Sequence, residues 1–141
     1  MVGRESTDEL LARVPLFEGL SKKQLSQVSS LMTSLELPSG KVLARQGEAG
    51  HEFVILLEGE VEVIRDGKVI AVRGPGDYIG EIALLDNRPR TATVTAKTNV
   101  VVEVLNRVEF ASLLANTPEI SNQIMATMAQ RLAELDSESR L

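Results

Sequence analysis

Gly80-Glu81-Ile82-Ala83-Leu84-Leu85-Asp86-Asn87-Arg88-Pro89-Arg90-Thr91-Ala92 is the stretch that decides how the chain is read. A glycine turn opens it, one apolar helical turn follows, and an Asn-Arg-Pro bend leads to an arginine at the start of a β-rich run. The start of a helical turn leaves backbone N–H groups without intrahelical partners, and such groups bind anions. Arg90 adds a permanent charge with a forked donor set suited to a phosphate. Glu81 is an acceptor able to hold a sugar hydroxyl nearby. Amides, a cation and an acceptor in one short element suit a ribose phosphate. The competing reading is a surface turn closed by a structural Glu81–Arg90 salt bridge.

On either side the chain reads as short strands, and Val61 and Val63 alternate with Glu62 as a half-buried strand should. Upstream, Gly74-Pro75-Gly76-Asp77 turns the chain into this stretch, and Asp66-Gly67 is a hairpin signal between Val61–Val63 and Lys68–Val72. Phe53 to Leu57 is an apolar strand closed by Glu58-Gly59, and Lys41 to Arg45 is a short strand between two turns. Downstream, Thr91 to Ala96 and Val100 to Leu105 supply two more. Many short strands at close turn spacing predict a jelly-roll-like barrel.

Helical signals flank the strands. Ser6-Thr7-Asp8-Glu9 and Ser21-Lys22-Lys23-Gln24 read as capping boxes, with Pro15 ending the first helix. Leu25, Val28, Met32 and Leu35 follow at helical spacing, which carries the lead-in over residues 6–36. Asn106 caps a helix bearing Phe110, Leu113 and Leu114, and Thr117-Pro118 opens a longer one. On that last helix Ile120, Ile124, Met128, Leu132 and Leu135 form one apolar stripe, suited to core, a dimer seam or a lid over a ligand.

The 141 residues fit one domain, residues 1–141, with the barrel over 38–105 and the closing helices over 107–138. Aromatics are 3% and Trp is absent, so the expected core is aliphatic. A net charge of -5 argues against a nucleic-acid surface, which needs clustered Lys and Arg. The absence of Cys removes disulfides and thiolate chemistry, and a single histidine removes any His-based metal cluster. No nucleophile–base arrangement can be assembled, and no cofactor is expected. No apolar run reaches a membrane span and the polar start is not a signal peptide, so the expected compartment is the cytoplasm, with no membrane partner.

Gly-Glu-Ile-Ala-Leu-Leu, a short spacer and Arg-Thr-Ala resemble the phosphate-binding cassette of the cyclic nucleotide-binding domain family. That family includes catabolite activator proteins and regulatory subunits of cyclic-AMP-dependent kinase. The likeness runs from about Leu10 to Leu135 and includes the Pro15-Leu16-Phe17-Glu18-Gly19-Leu20 lead-in. It implies an eight-stranded barrel whose cassette residues Gly80, Glu81, Ile82, Ala83, Arg90, Thr91 and Ala92 hold phosphate and ribose. The amides of Ala83 and Ala92 would flank the phosphate beside Arg90, and Gly80 and Glu81 would hold the ribose 2′-hydroxyl.

The resemblance also places Val63, Ile70, Val72, Arg131 and Leu135 at the base, for each of which a plain core or solvated role competes. Leu135-Asp136 stand where some bacterial cyclic-AMP activators carry a polar pair that reads the purine. The implied ligand is cyclic AMP, with cyclic GMP as the alternative because Thr91 follows the cassette arginine. An aliphatic pocket offers guanine's carbonyl no dedicated partner, which favours adenine. The implied output is a shift of the terminal helices toward an effector in trans or in a longer chain, with a homodimer through the last helix as a further expectation.

Overall fold

In the computed structural model, which describes residues 6–139, eight strands are framed by helices. The strands are β1 (Thr33–Leu37), β2 (Val42–Ala44), β3 (Glu52–Glu58), β4 (Val61–Arg65), β5 (Lys68–Arg73), β6 (Tyr78–Ile79), β7 (Thr93–Ala96) and β8 (Val100–Asn106). They pair antiparallel in two four-stranded sheets, ordered β1-β8-β3-β6 and β2-β7-β4-β5. The jelly-roll-like, mainly β fold with flanking helices is therefore present.

β3 shows why. Its residues Phe53 to Leu57 are all buried, so both faces of the strand are covered. Val54 and Leu56 point between the sheets, where they meet Ala44, Val61, Val94, Ala96, Val100 and Val102. Phe53, Ile55 and Leu57 point the other way and join the helices. A strand covered on both faces reads as a continuous apolar run rather than an alternation.

The helices are α1 (Thr7–Ala12), α2 (Lys22–Ser29), α3 (Arg107–Asn116) and α4 (Pro118–Ser139), with a short 3-10 turn at Pro15–Phe17. Their starts follow the capping residues. Ser6 accepts from the Glu9 amide, Ser21 and Gln24 cap each other reciprocally, and the Asn106 side chain accepts from the Val108 amide. They cover the outer face of the first sheet. Phe17, Phe53 and Phe110 meet at its centre, with Phe17 packed edge-to-face at 5.8 Å against each of the other two. The core is thus aliphatic by number but pinned by three aromatic rings, which corrects the purely aliphatic expectation.

Three further expectations change. The helical spacing through Leu35 does not persist, because α2 stops at Ser29 and Thr33–Leu37 pairs with β8 from Val104 to Val100. A ladder edge on β8 needs hydrogen-bond partners, and satisfying them outweighs a sparse helical period. β6 adds a strand that the sequence does not announce, since two residues are too short to show a period. The α4 stripe divides: Ile120 and Ile124 are buried, whereas Leu132 and Leu135 are 67% and 61% exposed.

Candidate functional site

Gly80, at φ +78°, turns the chain out of β6, a conformation that suits a residue without Cβ. Glu81–Leu84 then form a 3-10 helix, in which the Ala83 amide donates to the Gly80 carbonyl at 3.0 Å. That amide, expected at a phosphate, closes the turn in this state. Ala83 and Ala92 are both buried, and Ile82 lies in the same helix, its side chain being outside those described. Beyond the helix, Arg90 is clamped to the loop before β3. Its amide donates to Glu48 O at 2.8 Å, and its carbonyl accepts from the Gly47 amide at 2.8 Å.

The Arg90 side chain runs in a slot between Gly50 and Gly80. A Cβ on Gly80 would lie 1.9 Å from Arg90 Nη1, and one on Gly50 would lie 2.0 Å from Nε. Arg90 Nη2 donates to the Glu52 carbonyl at 2.7 Å. Burial pulls the guanidinium pKa down, and the nearby carboxylates of Glu52 and Glu81 pull it back up. Among the described residues no ion pair joins Glu81 to Arg90, so the structural salt-bridge reading of the cassette does not hold. A partly desolvated cation whose one side-chain hydrogen bond among the described residues goes to a neutral carbonyl attracts an anion.

Arg90, Glu81, Gly80, Ala83, Thr91 and Ala92 open on one cleft of about 550 Å³. Val63, Ile70, Ala71 and Val94 contribute its apolar wall. Thr91 is exposed there, and its carbonyl accepts from Arg65 Nε at 3.0 Å. Tyr78 borders the cleft, but its ring packs on the helix side at 6.0 Å from Phe53, where burial and then Glu81 raise the phenol pKa. At the rim Arg88 pairs with Asp86 at 2.7 Å, and this hydrogen bond holds the Asp86 pKa down.

Val63 and Ile70 line the cleft, whereas Val72, Arg131 and Leu135, the other positions expected at the base, do not reach it. Val72 pairs with Glu62 and points to the opposite face, because Ala71 is the residue opposite Val63. A bulge between Val63 and Ile64 brings Ile70 to the cleft side as well. Arg131 bonds the Glu18 carboxylate at 2.6 Å, and Thr127 Oγ1 donates to the Glu18 carbonyl at 2.8 Å, so α4 rests on the lead-in. Leu135 is carried away with it into solvent.

Three arginines escaped the sequence reading. Arg65 and Arg73 line the cleft, so it is less aliphatic than expected, and with Arg88 and Arg90 they concentrate cation in a chain of net charge -5. The alternation that turns Val72 away brings Arg73 in, and this is legible once the register is known. Arg107, the first residue of α3, donates to Ala83 O at 2.6 Å, Asp86 O at 2.7 Å and Gly50 O at 3.0 Å. Its Nη1 also bonds Asn87 Oδ1. No local signal marks it, because its acceptors are carbonyls far away in sequence.

Among the described residues no group of three or more His, Asp or Glu is placed to hold a metal, and no helix is long and apolar enough to cross a membrane. The profile of the cyclic nucleotide-binding domain matches residues 34–117, a span that contains the whole cassette. The chain is 32% identical over 130 residues to a CRP-like cAMP-activated global transcriptional regulator of Mycobacterium tuberculosis, covering 89% of this chain and 58% of that one. It is 34% identical over 123 residues to a cAMP-dependent protein kinase regulatory subunit of Schizosaccharomyces pombe, covering 86% of this chain and 30% of that one. It therefore spans less than two thirds of the length of either relative. The crystal structure of the N-terminal domain of a transcriptional regulator from Streptomyces coelicolor A3(2) superposes with a TM-score of 0.81 at 32% identity, covering 92% of this chain and 94% of that one. The jelly roll, the cassette with its slotted arginine and these likenesses agree: the chain belongs to the cyclic nucleotide-binding domain family.

Proposed function

We propose that this chain is a regulatory sensor domain that binds a cyclic nucleotide, cyclic AMP in preference to cyclic GMP, and passes the event to an effector through its terminal helices. The observation that carries the reading is Arg90, a half-buried guanidinium bonded to a neutral carbonyl and opening on a cleft beside Glu81. The cyclic phosphate would take that cation and the cassette amides around Ala83 and Ala92. Gly80 and Glu81 would take the ribose, and Val63, Ile70 and Ala71 would take one face of the base. Ile82 belongs to the same cassette in this reading. The function is binding rather than catalysis, and its setting is the cytoplasm.

Adenine is supported by the cyclic-AMP names of the relatives and by the apolar wall. Arg73 narrows the margin, since an arginine can pair with guanine's O6 and N7. The output is a displacement of α3 and α4, which couples to ligand only if the two helix positions differ in affinity for it. The exposed Leu132 and Leu135 on α4 supply a surface for an effector or a second copy. Calorimetry with cyclic AMP, cyclic GMP, AMP and ATP tests the reading. Cyclic AMP is expected to bind tightest, ahead of cyclic GMP by about tenfold, or about 1.4 kcal/mol. Equal binding of AMP or ATP would refute it.

Glu81→Gln is expected to weaken cyclic AMP by about 1 kcal/mol, because the amide keeps an acceptor oxygen but loses the charge that strengthens a hydroxyl contact. The loss should shrink for 2′-deoxy cyclic AMP. If parent and variant discriminate equally between the two ligands, Glu81 does not read the sugar.

A further inference from the structure

Arg107, outside the cleft itself, is bonded through all three nitrogens of its guanidinium. Its Nε donates to Ala83 O at 2.6 Å, while Nη2 donates to Asp86 O at 2.7 Å and to Gly50 O at 3.0 Å. Nη1 bonds Asn87 Oδ1, so four of its five N–H donors have acceptors. Every one of those acceptors is neutral. Its backbone amide also donates to His51 O at 2.9 Å, which fixes the start of α3 against the loop before β3.

The placement matters because of what these acceptors belong to. Ala83, Asp86 and Asn87 lie in the segment between Gly80 and Arg90, which no named strand pairs. Gly50 forms the opposite wall, against which Arg90 Nε lies. Arg107 thus grips both sides of the slot from behind, and the slot decides where the Arg90 guanidinium sits. Residues 85–88 lie in no helix or strand, so ordering them costs backbone freedom, and a fork bonded to three carbonyls offsets that cost before any ligand arrives.

We propose that Arg107 is a positioning residue that pre-forms the anion site by holding the cassette backbone and the Gly50 wall at the spacing Arg90 requires. It touches no ligand. This rests on the cyclic nucleotide reading for its affinity consequence, but not for its structural one. A lysine at this position keeps the charge yet loses the planar fork, so charge alone does not restore the grip.

The test uses Arg107→Gln and Arg107→Lys, followed by rapid hydrogen exchange without ligand and by calorimetry with cyclic AMP. Exchange is expected to accelerate at residues 83–88 and 47–51 and to stay unchanged in β3 and β8. Affinity is expected to fall about tenfold in Arg107→Gln, with only partial recovery in Arg107→Lys. Unchanged exchange at both segments overturns the proposal, as does faster exchange with parental affinity. If the parent itself binds neither cyclic AMP nor cyclic GMP, the ligand reading fails, while the exchange data still decide whether Arg107 orders the cassette. Should Arg107→Gln not fold, Asn87→Ala removes one acceptor from an exposed loop. It should produce a smaller change of the same kind, and no change in either measurement again overturns the proposal.

Discussion

Arg90→Ala is expected to remove nearly all cyclic nucleotide binding while both sheets stay folded. The guanidinium is half-buried in its slot, and its only side-chain hydrogen bond among the described residues goes to the Glu52 carbonyl. Its loss should therefore cost the fold about 1 kcal/mol. A bound cyclic phosphate would lose far more, since truncating one partner of a desolvated charge pair costs about 2–5 kcal/mol. Arg90→Lys should restore only part, because an ammonium does not reproduce the fork. Calorimetry beside thermal unfolding separates the two effects. A folded Arg90→Ala protein with near-parental affinity would remove the cassette assignment.

Gly80→Ala should come next in size, and its cause is geometric. The new Cβ would stand 1.9 Å from Arg90 Nη1 and 2.8 Å from the Glu52 carbonyl, at a backbone φ of +78°. The arginine can swing aside, but the carbonyl belongs to β3 and cannot. Alanine in the left-handed region costs about 1–2 kcal/mol by itself. Displacing Arg90 from its slot should add an affinity loss of about 3 kcal/mol, within the range for breaking the charge pair. Gly67→Ala is the control, because it carries φ +79° with nothing within 4 Å of a Cβ. Both variants should melt earlier, and only Gly80→Ala should lose ligand. If both retain affinity, the slot does not position Arg90 for binding.

The helix starts and the cassette were legible because each is a local device. Ser6, Ser21 and Asn106 cap from within three residues, and Asp66-Gly67 turns the β4–β5 hairpin where it stands. Leu35 shows where local reading runs out. Its helical spacing from Val28 is genuine, but the chain satisfies the β8 ladder instead. Val72 is a second case, since one residue of register turns a strand side chain from cleft to solvent.

The sequence by itself marked the stretch from Gly80 to Ala92, with Arg90 in it, as the expected anion site, inside a chain of short strands flanked by capped helices. Tertiary structure alone decided which arginines surround that stretch. Arg107 reaches acceptors 24 and 57 positions away, at Ala83 and Gly50, and Arg73 enters the cleft only through the β4–β5 register. Tertiary packing also set α4 against Glu18, which holds Arg131 and Leu135 apart from the base positions that the resemblance had implied for them. Backbone turns and caps are fixed by neighbours in the chain. The reach of a long charged side chain is fixed by whatever the fold places within a hydrogen bond of its tip.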